Sequence, residues 1–230
     1  MTRILAIDTA LPAVSVCVLD EGASDPVALD SMAMEKGHAE ALMPAIEKLM
    51  AKVQGGFASL DRVAVTVGPG SFTGIRIGVA AARGIALALG LDVVGVSTLA
   101  AFAAPLLAGD ADGIVAAAID ARHGRVYFSA YGPGGRILTS PRILAVKDAC
   151  RLLGGGRVRA AGSGAALLRE EAALTGGDIA VVHGAPAPDI LAVARLGLAA
   201  SPDNAPARPI YLKAPDALPA KQPATTFNSP

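Results

Sequence analysis

Two carboxylates stand where an apolar strand gives way to a turn: Asp8, at the end of the opening run Arg3–Thr9, and Asp120, at the end of Ala118-Ile119-Asp120. Placed in a cleft, such a pair could face phosphates and a metal ion. Placed in a turn, the same side chain accepts hydrogen bonds from nearby backbone N–H groups. Sequence alone leaves both open. Gly68-Pro69-Gly70-Ser71 precedes a long helical stretch. The N–H groups of a helix start favour an anion, and Ser71 serves equally as a helix cap. No Gly-Lys-Ser/Thr follows, so this is not a P-loop. Gly162-Ser163-Gly164 could approach an adenine or a phosphate, on the strength of a common pattern. His38, His123 and His183 are isolated from one another, and no His-Glu-x-x-His or metal triad is present. Ser71 lacks an evident base, so serine-hydrolase chemistry has no support. Cys17 and Cys150 are too few for a disulfide framework and are not in zinc spacing; they read as reduced thiols.

The elements that would position these residues come from an Ala- and Gly-rich chain of 230 residues, 53% hydrophobic and 3% aromatic. That length suits one large domain or two small lobes. Acidic and basic residues balance at 20 each. A balanced chain argues against a broad nucleic-acid face, which needs clustered Lys and Arg. The opening MTRILAID reaches Asp8 too soon for a secretory signal. The long apolar region Ile77–Leu107 is broken by Arg83 and Asp92 and reads as a helix followed by a strand, not as a membrane span. A cytoplasmic protein without membrane insertion is expected.

In order, the pattern predicts strands over Arg3–Thr9, Ala13–Leu19 and Val27–Met34, then a helix His38–Val53 with Leu42, Ile46, Leu49 and Val53 as its apolar stripe. Met43 and Met50 add adaptable apolar surface beside that stripe. A buried strand Arg62–Val67 follows, then the glycine turn and a helix Gly74–Leu89. Its only charges, Arg76 and Arg83, lie seven apart on one stripe, and the rest is Ile, Val, Leu, Ala and Gly. A helix apolar nearly all round needs cover nearly all round; one side can be the chain's own sheet, the other a partner. Strand Val93–Ser97 and helix Thr98–Leu107 complete a crossover unit. Gly109-Asp110 to Gly113 reads as a boundary. Beyond it the opening recurs at an offset of 112 residues: Ala6-Ile7-Asp8 with Ala118-Ile119-Asp120, and Val14, Val16 and Val18 with Val126, Phe128 and Ala130. The lobes therefore read as 1–108 and 109–213, with a Pro-rich extended tail over 214–230.

Four segments in order, ILAIDTA, GPGSFTGIRIG, DARHGRVY and YLKAPDA, resemble the TsaB (YeaZ) proteins, over most of the chain from about Arg3 to Ala217. The duplicated hairpin ending in Asp likewise resembles the actin-like (ASKHA) α/β fold of two lobes, whose active members use those aspartates at a phosphate and metal site. The resemblance implies a non-catalytic subunit of the bacterial machinery that makes N6-threonylcarbamoyladenosine in tRNA. It implies pairing with a TsaD-type catalytic paralogue, a TsaE-type ATPase joining through the complex, tRNA engaged indirectly, and a homodimer in isolation. In that family the dimer is made by the two N-terminal-lobe helices. Here the interface would be Leu42, Met43, Ile46, Met50, Ile75, Arg76, Ile77, Val79, Arg83 and Ala86. A weakly held ATP or ADP would lie at Asp8, Gly68, Gly70, Ser71 and Asp120, or at the complex interface. TsaD-type sequences carry two metal-binding His where this chain has Thr98 and Phe102, so no metal site and no catalytic residue are expected. Two alternatives remain: a small-molecule kinase or ATPase working in the interlobe cleft through Asp8 and Asp120, and a peptidase, which the missing ligands and triad disfavour.

Overall fold

The computed structural model describes residues 1–109 and 112–212. Asp110 of the expected boundary, the tail over 214–230, and the last of the four family-like segments beyond Leu212 lie outside the described residues.

Each half of the chain builds a mixed five-stranded sheet. The first contains β1 (Arg3–Asp8), β2 (Ala13–Asp20), β3 (Ala28–Ala33), β4 (Arg62–Gly68) and β5 (Asp92–Ser97), in the order β3-β2-β1-β4-β5. The second contains β6 (Ile114–Asp120), β7 (Arg125–Tyr131), β8 (Ile137–Ala145), β9 (Val158–Ala161) and β10 (Ile179–His183), in the order β10-β9-β6-β7-β8. Read from β8, the second order repeats the first. In each, three antiparallel strands are followed by two parallel ones. This is the duplicated actin-like α/β fold. Strand β8 is the element that sequence periodicity passed over. It is an edge strand with Pro141 inside it and Ile137 and Leu138 both exposed, so it shows no clean alternation.

Helices α1 (His38–Met50) and α2 (Phe72–Leu89) cover the outer face of the first sheet. Helices α4 (Val146–Leu153) and α5 (Ala165–Ala173) do the same for the second. Between the sheets lie α3 (Thr98–Ala108) and α6 (Ile190–Ala199). These two cross over: α3 packs Leu99, Phe102 and Leu106 against Val115, Ala117 and Ile119 of the second sheet. Conversely, α6 returns Ile190, Val193 and Ala194 to Ile4, Ala6 and Ala64 of the first. The segment after α6 stays with the first sheet: the Gly95 N–H donates to the Ala205 carbonyl at 2.8 Å and the Ile210 N–H to Val67 at 2.7 Å. Residues 98–108 and 190–210 thus sit across the expected lobe boundaries.

Helix α2 is the element the site depends on. Ser71 caps it, its Oγ accepting from the Gly74 N–H at 3.3 Å, and Gly90 ends it in a left-handed conformation. Among the described residues it is the one helix long and apolar enough to span a membrane; here six of its residues are built into the first lobe's core. Its first turns press directly on the turn between β1 and β2. A Cβ at Gly70 would stand 2.2 Å from the Ala10 carbonyl oxygen, one at Gly74 2.1 Å from that of Thr9, and one at Gly78 2.5 Å from Thr9 Oγ1. The Ser71 N–H donates to the Ala10 carbonyl at 2.7 Å and Thr9 Oγ1 to the Gly74 carbonyl at 2.7 Å. Gly84, farther along, meets nothing within 4 Å. Gly74→Ala should therefore destabilise the protein by about 1–3 kcal/mol, because backbone must move. Gly84→Ala should stabilise it by roughly 0.5–1 kcal/mol. Urea unfolding of both variants checks the contrast; equal effects would place the seam elsewhere.

Candidate functional site

A cleft of about 950 Å³ opens between the lobes. The β1–β2 turn, the start of α1, residues 69–74 and the tip of the β6–β7 hairpin line it, with Ser163, Tyr211 and Leu212. Asp120 lies there. Its Oδ1 accepts from the Arg122 N–H at 2.7 Å, and its own N–H donates to Ser163 Oγ at 3.1 Å. Asp120 is thus a turn cap. It braces a tip in which Arg122 and His123 take φ of 64° and 53°, a left-handed region that residues other than glycine seldom adopt.

Asp8 is elsewhere. Its side chain is 0% exposed and is absent from the cleft wall. Oδ1 accepts from Thr66 Oγ1 and from the Ala10 N–H, while Oδ2 has no partner. The reason is register. Val16 and Phe128 both face the outer helices, and their partners across the sheet are Ile7 and Ala118. Ile7 therefore corresponds to Ala118, and Asp8 to Ile119. The 112-residue offset is right for β2 and β7 but one residue out for β1 and β6. A slip of one residue turns a side chain to the opposite face. Asp8 points inward with Ile4 and Ala6, and Asp120 shares the parity of Ala116 and Ala118. The paired aspartates expected from sequence are not a pair.

Nor do the residues fit a phosphate at the start of α2. The Ser71 N–H is taken by Ala10, Ser71 Oγ by the Gly74 N–H, and Gly70 and Gly74 lie against backbone. Gly68, with φ 105°, is covered by the carbonyl of Ile210. Gly162 and Gly164 pack on the Ala118 carbonyl in the same way. Leu11 reaches into the second lobe's inner cluster beside Phe102 and Ile119. Thr98 and Phe102 are buried in α3, and His38 is held by the Leu11 carbonyl at 3.0 Å. Among the described residues no cluster of His, Cys, Asp or Glu could hold a metal ion.

The second candidate surface is the outer side of α1 and α2. The expected interface residues divide here. Leu42, Ile46, Met50, Ile75, Val79 and Ala86 belong to the first lobe's own core. A helix lying on a sheet buries a broad stripe, so Met50, eight residues from Leu42 and four from Ile46, falls inside it. Met43, Arg76 and Arg83 face outward and Ile77 is half-buried. The outward stripe of α2 is instead Thr73, Arg76, Ala80, Arg83, Gly84 and Leu87, with Leu87 86% exposed. The signal was available: the two arginines mark the outward side, and the residues three and four positions from them share it.

Sequence reading also missed what holds Arg76. Its guanidinium lies 3.7 Å from the centre of the Phe72 ring, and its Nε donates to the Tyr211 hydroxyl at 2.9 Å. The Phe72 and Tyr211 rings are 5.0 Å apart. The segment ending at Tyr211 thereby straps the first turn of α2 through a cation–aromatic contact.

Burial raises the Asp8 carboxyl above its ordinary range, with the Thr66 and Ala10 hydrogen bonds opposing. A raised carboxyl costs stability as pH climbs from the unfolded-state value through the folded one, since the buried group must then ionise. Asp8→Asn removes that cost. Its thermal midpoint should exceed the wild type's by roughly 2–4 °C at pH 7, and the gap should close below about pH 4. A variant less stable at pH 7 would show that the charged form is favoured.

Comparison with known proteins agrees with this architecture. Residues 32–203 match the family described as TsaD, tRNA N6-adenosine threonylcarbamoyltransferase. The chain is 37% identical over 129 residues to the tRNA threonylcarbamoyladenosine biosynthesis protein TsaB of Escherichia coli, covering 56% of this chain and 54% of that protein. It thus spans about half the length of the TsaB relatives it matches. It is 35% identical over 221 residues to an uncharacterized protein of Mycobacterium tuberculosis, covering 95% of each. The structure of YeaZ from Pseudomonas aeruginosa superposes with a TM-score of 0.72 at 29% identity, over 92% of this chain and 100% of that one. With these likenesses on a duplicated five-stranded sheet, the chain belongs to the TsaB (YeaZ) family.

Proposed function

We propose that the chain is a non-catalytic scaffold subunit in the synthesis of N6-threonylcarbamoyladenosine in tRNA. It pairs the outer face of α1 and α2 with the corresponding face of a TsaD-type catalytic paralogue and holds that paralogue in its active form. The pathway comes from the name of the Escherichia coli relative. The observation that supports the role is the outward stripe of α2, where Ala80, Gly84 and Leu87 lie open on a helix whose other side is core. Small residues let a second helix approach closely, and two helices from each partner would make a four-helix bundle. A TsaE-type ATPase joins through the assembled complex, in the bacterial cytoplasm, and tRNA is engaged by the assembly. Any ATP or ADP is held weakly.

A kinase or ATPase of this fold would work through a carboxylate pair in the cleft. The burial of Asp8 and the filled start of α2 favour the scaffold over that reading.

Leu87→Glu should weaken binding to a TsaD-type paralogue by about tenfold or more, since a charge enters the contact. It should leave the thermal midpoint unchanged, because Leu87 is outside the core. Val79→Glu, by contrast, should unfold the first lobe. Light scattering on a sizing column, with the paralogue present, reads the first effect. Unaltered complex formation by Leu87→Glu would sink the docking role of α2.

A further inference from the structure

The outward side of α1 and α2 carries two pairs of unmatched charge. Glu40 and Glu47 lie seven residues apart on α1, and Arg76 and Arg83 seven apart on α2. Seven residues are about 10.5 Å along a helix, so the acidic and basic pairs have the same spacing. All four side chains are exposed, and among the described residues none makes an ion pair. Lys48, the nearest cation on α1, is engaged by Asp30 at 3.4 Å. Helix α2 contains no acidic residue. Arg76 is also set in place before any partner arrives, since Phe72 and Tyr211 hold its guanidinium.

We propose that these two pairs recognise each other between copies of the chain. In a twofold dimer, the arginine pair of one copy meets the glutamate pair of the other, and the same contact recurs across the axis. The inference rests on the docking role given above to this face, and it adds what selects the occupant and the register. One surface bearing both signs at one spacing is self-complementary, which is what a twofold contact requires. Apolar contact among Met43, Ala80, Gly84 and Leu87 would be indifferent to sliding by a turn. Charges at the rim are not, because a slipped register places like charges together. Holding Arg76 in advance lowers the ordering cost of the contact.

Complementation by charge reversal tests this. One variant carries Arg76→Glu and Arg83→Glu, and a second carries Glu40→Arg and Glu47→Arg. Each should self-associate about a hundredfold more weakly than the wild type, because both symmetry-related contacts become repulsive. Mixed one to one, the two should dimerise again, because every contact between them is then attractive. Thermal midpoints near the wild type's confirm that the exposed changes leave the fold intact. The milder variant R76Q/R83Q covers the case of misfolding: its self-association should lose the salt dependence of the wild type. Self-association of either reversed variant at wild-type strength overturns the proposal. So does a mixture that stays monomeric, a wild type that is itself monomeric, or unchanged salt dependence in R76Q/R83Q. The wild type is run in parallel against a TsaD-type paralogue. A complex there without the complementation refutes the charge pairing alone; no complex there refutes the scaffold reading.

Discussion

The structure depends on one seam: the backbone-to-backbone contact between the first turns of α2 and the turn joining β1 to β2. Gly70, Gly74 and Gly78 repeat every four residues, so they form one flat strip on the helix. Thr9 and Ala10 lie against that strip and exchange hydrogen bonds with it. The seam closes the place where an anion would have met the helix start. It also fixes how α2 is rotated about its axis, and so decides that Arg76, Ala80, Arg83, Gly84 and Leu87 face outward. A single set of glycines thus works against a nucleotide and in favour of an exposed helix face.

The fold was legible in the sequence because its signals are local. Periodicity placed all but one of the strands, and the repeated Ile-Asp ends exposed the duplication. The site was less legible because it depends on which way side chains point. Asp8 and Asp120 look equivalent in sequence, yet a register difference of one residue sends the first into the inner layer and leaves the second at the cleft. The same limit applied to the interface. Leu42, Ile46, Ile75 and Val79 are apolar and helical, as core and contact residues both are. Only the packing of α1 and α2 on β2 and β4 says that these are core. Tyr211 gave no signal at all, since its role is to touch Arg76, 135 positions away.

Two ionisable features of the lobes contrast. Arg3 and Asp20 form a charge-assisted pair at 2.6 Å near the surface, and the arginine lowers the aspartate's pKa. Asp8 is raised by burial and is only partly satisfied. The first arrangement ties the start of β1 to the end of β2. The second leaves a carboxyl in the layer between the lobes, close to Leu11, which itself reaches across into the second lobe. The joint between the lobes is therefore packed with side chains from both, not left as an open hinge.

The exchange of α3 and α6 between the sheets bears on how the chain is made. The inner face of the first sheet, with Ile4, Ala6, Cys17 and Leu19, is finished only by Ile190, Val193 and Ala194. During synthesis at about 5–20 residues per second, those strands would wait on the order of ten to thirty seconds for their cover. The second sheet receives α3 before its own first strand is made. The later half of the chain can thus mature on the ribosome, while the earlier half waits for the last helix. The part of the molecule synthesised first is the part completed last, and it carries the surface meant for other subunits.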